Sequence, residues 1–368
     1  MTAPESMHSS KTRGEQAIDL LRQLISIQSF SREEDRTAEL ISNTLKSEGV
    51  DFERKGHNVW AYNQHFDPAK PTILLNSHHD TVKPNAGYTR DPFVPEIIDG
   101  KLYGLGSNDA GGCLVSLMQV FLHFHSLEDL PFNLVYTATA EEEISGRGGV
   151  ESILSELPEI HLGIVGEPTE MAMAVSEKGL MVLDCMVKGK AGHAARSTGV
   201  NAIYEAMEDL EWVRNFKFPK VSEHLGPIKM TVTVINAGSQ HNVIPDRCSY
   251  VIDVRPTDAY TNSETLEMIK KHLKAEVKER SLRLNPSAIA KDHIALKAAT
   301  ALGIEQFGSP TTSDQAVMDF PTVKMGPGRS QRSHTPDEFI FVNEIEQGID
   351  EYIRLIDKIF ELEKAPVL

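Results

Sequence analysis

The residues best able to do chemistry are two imidazoles and a set of carboxylates, each placed where an apolar run ends or inside a glycine-rich loop. They are His78-His79-Asp80 after PTILLNS, Asp109 in YGLGSNDAGG, Glu141-Glu142-Glu143 after NLVYTATA, Glu167 in LGIVGEPTE and His334 in RSQRSHTPDE. Imidazole and carboxylate donors without a thiolate suit hydrolytic divalent metal, and five such clusters read as one divided site for a pair of zinc ions. In an extended H-x-D segment alternate side chains share a face, so His78 and Asp80 point the same way. Asp80 then reads as the carboxylate that orients the metal-binding imidazole rather than as a ligand. Asp109, ahead of a helix, is placed to bridge two ions roughly 3.5–4 Å apart. Glu142 and Glu143 point in different directions, so one binds metal while the other acts as general base. The same loop fails as a phosphate cradle, because GxGxxG is incomplete and no GK[ST] follows.

These residues need elements to hold them. PTILLNS and FNLVYTATA have the β-branched, apolar character of buried parallel strands, with GGCLVSLMQVFLHFH between them as a crossover helix. EQAIDLLRQLISI predicts an opening helix, and Ser31 followed by Glu34 predicts a capping box for a second helix ending near Gly49. Strands alternating with helices form an α/β sheet whose sites lie beyond the carboxyl ends of its strands. From about Lys178 the pattern changes: LMVLDCMVKGKAG, IKMTVTVINAG and CSYVIDVRP alternate apolar and polar residues, with helical stretches near 201–215 and 262–279. That βαββαβ-like run predicts a separate, inserted domain of roughly a hundred residues. After it the first pattern returns, and a final helix from Asn343 carries Ile345, Ile349, Tyr352, Ile353 and Ile356 on one face.

Composition narrows the function. The 368 residues include 40% apolar residues and carry a net charge of −16, with no basic face to neutralise phosphates, which excludes nucleic acid as a partner. The apolar stretch around Leu114 to Phe124 is too short to span a bilayer. Cys113, Cys185 and Cys248 form no disulfide framework, and the polar first thirteen residues lack a signal-peptide core, so the expected compartment is the cytoplasm. His57, His65, His123, His125, His161, His224, His272 and His293 have no motif setting and read as structural or surface groups.

SHHDTV, GLGSNDAGG, AEEEISG, GEPTE, GKAGHAA, NVIPD with DVRP, and SHTPDE together resemble, nearly end to end, the acetylornithine deacetylase and succinyl-diaminopimelate desuccinylase family of dinuclear zinc amidohydrolases. The resemblance implies a mixed, mostly parallel α/β sheet flanked by helices (phosphorylase/hydrolase-like, of the zinc exopeptidase type) with an inserted α+β ferredoxin-like lid domain. It places a discontinuous catalytic domain at 1–177 and 286–368 and the lid and dimerisation domain at 178–285. It implies two Zn2+ ions, with Co2+ or Mn2+ as possible substitutes: His78 and Glu167 on one, Glu143 and His334 on the other, Asp109 bridging. Asp80 would orient His78, Glu142 would be the general base and acid, and His193 would stabilise the oxyanion in a partner subunit of a homodimer. Asn242 and Arg255 would bind the substrate's backbone and α-carboxylate, and Gly328 would let the chain pass close to substrate or turn sharply. A cis peptide is expected after Asp109.

Two departures stand out. Many relatives have Lys where this chain has Gly111, and Arg329 and Arg332 lie beside a ligand where acetylornithine deacetylases carry fewer cations. Arg332, or Arg329, is thus expected to meet a carboxylate on the acyl group and favour succinyl over acetyl. The implied activity is hydrolysis of N2-acyl-L-ornithine, a small-molecule substrate, in arginine synthesis. The alternatives are succinyl-diaminopimelate, acetylcitrulline, a dipeptide or carboxypeptidase substrate, and an inactive metal-binding relative.

Overall fold

The computed structural model describes residues 11–196 and 198–364. They form two compact units, one from the chain up to Ala174 with Ile289–Gln306 and everything from Met318 on, the other from Val175–Ala288 and Phe307–Val317.

The first unit is built on a mixed sheet. Its centre is four parallel strands in the order Asn133–Thr139, Thr72–His78, Leu162–Gly166 and Thr322–Met325. Antiparallel strands flank them: Asn58–Tyr62 and Phe52–Lys55 on one side, Met173–Glu177 on the other. The central strands are buried along their whole length, which explains their largely apolar character. Parallel neighbours need a crossover. The helix Gly112–Phe124 supplies it, and its burial on nearly every side fits its lack of a polar face. It packs against the opening helix Arg13–Ile25 and the final helix Val342–Lys364. The final helix buries Ile345, Ile349, Tyr352, Leu355 and Ile356; Ile353 lies at the edge of that face, half-buried.

Two local expectations are corrected. The opening helix has a capping box at Thr12 and Glu15, but the one expected at Ser31 and Glu34 does not form. Glu34 precedes the helix Asp35–Ser47 without capping it. Ser31 Oγ donates instead to Asp80, and Glu34 accepts from the amides of Arg32 and Glu141. The second correction is in the other unit. Its helix Asn262–Lys270 is shorter than the predicted stretch, because Glu276–Glu279 leaves the helix to become an edge strand paired with Met181–Lys188.

That second unit has the antiparallel order Lys229–Ala237, Arg247–Arg255, Met181–Lys188, Glu276–Glu279, which with the helices Ala202–Asn215 and Asn262–Lys270 makes a ferredoxin-like βαββαβ fold. Inward residues such as Met181, Leu183, Cys185, Tyr250 and Ile252 alternate with outward ones and share one core with the helices.

Candidate metal centre

Each of the four central strands delivers site residues at its carboxyl end. Thr72–His78 ends on His78 and is followed by Asp80; Asn133–Thr139 is followed by Glu142 and Glu143. Leu162–Gly166 is followed by Glu167, and Thr322–Met325 leads into the loop bearing His334. Asp109 joins them from the turn before the crossover helix, and its peptide bond to Ala110 is cis, as expected. Parallel strands end on one edge of the sheet, so residues up to 256 positions apart meet there.

Among the described residues two groups of donors converge: His78, Asp109 and Glu167; and Asp109, Glu143 and His334. Asp109 belongs to both. Its Oδ1 lies 3.5 Å from His78 Nε2 and its Oδ2 3.6 Å from His334 Nε2. Glu167 Oε1 is 3.8 Å and Glu142 Oε2 3.9 Å from His78 Nε2, and His334 Nε2 is 2.9 Å from Glu143 Oε2. His78 Nδ1 faces the backbone carbonyl of Asp80 at 3.0 Å and its carboxylate at 3.4 Å. That arrangement fixes the ring and turns Nε2 toward the acids.

His78 Nε2 is buried without a hydrogen-bond partner. A buried polar atom left so costs about 1–3 kcal/mol, which coordination to a cation removes. Burial and the neighbouring Asp109 carboxylate push Glu167 up to about 8. Glu143 is raised by burial, and the Glu143 carboxylate raises His334 to about 9. Burial works against protonating His78, yet Asp109 and Asp80 hold it well above its ordinary value. Crowded acids and imidazoles that perturb one another fit two divalent ions sharing one carboxylate.

Comparison with known proteins agrees with that chemistry. The description of Peptidase family M20/M25/M40 matches residues 74–358. The chain belongs to this family. It is 27% identical to an acetylornithine deacetylase of Proteus mirabilis across 95% of this chain and 98% of that one. It is 26% identical to a probable carboxypeptidase of Paracoccidioides lutzii, covering 94% and 85%. Among solved structures, aminopeptidase PepT of Bacillus cereus superposes with a TM-score of 0.76 at 18% identity over 94% of this chain and 98% of that one. A dinuclear metal-binding M20 peptidase of Bacillus subtilis gives 0.71 at 16% over 95% and 99%. The chain is thus an amide-bond hydrolase with the zinc exopeptidase fold.

The M20 site rests on residues to which its motifs gave no role. Glu338, in the same SHTPDE motif as His334, is buried and accepts from the amides of Gly106, Asn108 and Asp109 at 3.1, 2.8 and 2.9 Å. Burial pushes its carboxyl up to about 8. One carboxylate thereby holds the loop of the shared ligand. Asn108 in turn donates to the carbonyl and accepts from the amide of Arg329. Gly328, at φ +90°, lies against this pair; a Cβ there would sit 2.5 Å from Asn108 Oδ1. Its glycine therefore serves the turn before His334.

Asp80, Glu142 and the five metal donors are together in the first unit. His193, Asn242 and Arg255 are in the second. His193, exposed, accepts from the Ala195 amide through Nδ1, and the Asn242 carbonyl accepts from the Ala194 amide. Arg255 spends its fork on Asp253 at 2.8 and 3.0 Å. Arg332 departs most from expectation. Its fork is bidentate on Glu344 at 2.6 and 3.1 Å, its guanidinium lies over Phe339 and Phe341, and its side chain is only 11% exposed. Arg329 is open, in an exposed pair with Glu170.

Proposed function

We propose that this M20 hydrolase removes the acyl group from N2-acyl-L-ornithine, a step of arginine synthesis, in the cytoplasm. The observation that carries the reading is the pair of donor groups sharing Asp109, with Glu142 beside them. His78 and Glu167 would hold one ion, Glu143 and His334 the other, and Asp109 both. Divalent ions, Zn2+ with Co2+ or Mn2+ as substitutes, supply Lewis acidity there, polarising an amide carbonyl and making a nearby water acidic. Glu142 takes the proton of the attacking water and delivers it to the departing amine. Asp80 keeps that base in place by accepting its backbone amide at 3.0 Å. Asn242 and Arg255 bind the substrate's backbone and α-carboxylate, Arg255 exchanging Asp253 for substrate. His193 stabilises the oxyanion in a partner subunit's site.

Acetylornithine deacetylases among the relatives support ornithine, and the bound fork of Arg332 supports acetyl over succinyl. A homodimer through the second unit is supported by its edge strand Lys229–Ala237, which exposes Val234 and Ile235, and by Tyr204 and Met207 exposed on the helix Ala202–Asn215. Open apolar edges of this kind are usually covered. Three unpaired, buried cysteines suit a reducing compartment.

The test is a hydrolysis panel on metal-loaded protein. N-acetyl-L-ornithine should turn over faster than N-succinyl-L-ornithine, succinyl-diaminopimelate or dipeptides. Turnover of dipeptides alone would move the substrate to the carboxypeptidase relatives.

A further inference from the structure

The turn carrying the proposed base is held in an unusual way. The backbone amides of four consecutive residues each donate to a side-chain oxygen. Ala140 donates to Asn58 Oδ1 at 3.0 Å and Glu141 to Glu34 Oε1 at 3.2 Å; Glu142 and Glu143 donate to the two oxygens of Asp80 at 3.0 and 3.2 Å. Glu141 is at φ +55°, a left-handed conformation that a side chain other than glycine adopts at a cost. Asp80 touches His78, so its place in the site is direct. Glu34 touches none of the metal donors, yet it is fully buried.

Glu34 also closes a circuit. Its Oε2 accepts from His57 Nδ1 at 2.5 Å. The His57 carbonyl faces His79 Nε2 at 3.0 Å, His79 Nδ1 lies 2.9 Å from Thr37 Oγ1, and Thr37 Oγ1 lies 2.9 Å from the Glu34 carbonyl. The His57 carbonyl takes its proton from His79 Nε2, and the single Thr37 hydroxyl proton serves either His79 Nδ1 or the Glu34 carbonyl. The circuit therefore fixes the backbone on either side of the site, at His79 between His78 and Asp80 and at the Glu141 amide beside Glu142 and Glu143.

We propose that Glu34, backed by His57, is a positioning residue that sets the placement of base Glu142 and ligand Glu143 without touching metal or substrate. The claim rests on the donor groups described above; the identity of the substrate does not enter it. What matters is the reach of the side chain, since its oxygen must span to the Glu141 amide.

Two variants separate reach from charge. Glu34→Gln keeps the length and an oxygen acceptor but loses the charge; Glu34→Asp keeps the charge but retracts it by one methylene. Titrating metal-stripped protein with Co2+ should show Glu34→Gln close to wild type and Glu34→Asp with one of two binding steps weakened by about 10-fold or more, the size typical of outer-shell partners. In the loaded enzyme Glu34→Asp should lose kcat by a similar factor with KM within about twofold, because the substrate's binding groups are untouched. Any other order, including wild-type behaviour in both variants or equal losses in both, overturns the proposal. Should Glu34→Asp fail to fold, His57→Ala at a half-buried position takes its place; a smaller weakening of the same step is expected, and unchanged cobalt binding and kcat contradict the claim. Cobalt binding needs no substrate. A wild-type protein that ignores acyl-ornithines would thus sink the proposed function while the titration still decides the role of Glu34.

Discussion

Buried carboxylates occur in both units, and they are treated differently. In the second unit Asp209 is buried with a donor for each need: Tyr250 Oη donates at 2.8 Å, and the amides of Lys274 and Ala275 at 2.8 and 3.0 Å. In the first unit Asp109, Glu143 and Glu167 converge on two imidazoles and on one another. A carboxylate furnished with N–H and O–H donors is a piece of architecture; carboxylates furnished with each other call for a cation. Asp80, Glu34 and Glu338 lie beside the cluster but belong to the first kind. The M20 centre is thus a layer of donor-satisfied acids supporting a layer of acids gathered around two imidazoles.

The sharpest way to break this contrast is to remove the shared ligand. Asp109→Ala should abolish binding of at least one ion and lower turnover by several orders of magnitude; metal analysis and a hydrolysis assay check both. Next in size, Glu142→Gln should lower kcat by about a hundredfold or more while metal content stays at the wild-type level. Loss of metal in this variant would make Glu142 a ligand and reverse its assignment with Glu143. A smaller effect is expected from Asp209→Asn, which keeps the shape but removes one acceptor from a fully satisfied acid. It should destabilise by about 1–3 kcal/mol in denaturant unfolding and leave metal content and kcat per folded molecule unchanged. Chelation should also destabilise, lowering the melting temperature of the holoenzyme, since an ion bound to the folded state alone stabilises it by mass action.

Much of the donor set could be read from residue types, because a strand that ends in H-x-D or before E-E declares itself by its apolar run and its sudden polarity. The supporting acids could not be read this way. Glu34 followed Ser31 at the spacing of a capping box, and local pattern cannot distinguish an acid that caps its own helix from one that reaches 107 residues ahead in sequence to an amide. Glu338 stood in a motif already spent on His334. Arg332 failed for a related reason: its partner Glu344 lies twelve residues on, past a strand, and the aromatic pair that covers it is assembled only by folding. The helix expected to run to residue 279 stopped early because Val277 alternates with charged neighbours that suit an edge strand, a period-two signal shorter than the helical window around it.

The most direct measurement counts and locates the ions. Metal analysis of purified protein, joined to anomalous diffraction from its crystals, should find two divalent ions per chain, one among His78, Asp109 and Glu167 and the other among Asp109, Glu143 and His334. A single ion, or ions held elsewhere with these acids hydrogen-bonded to one another instead, would contradict the account.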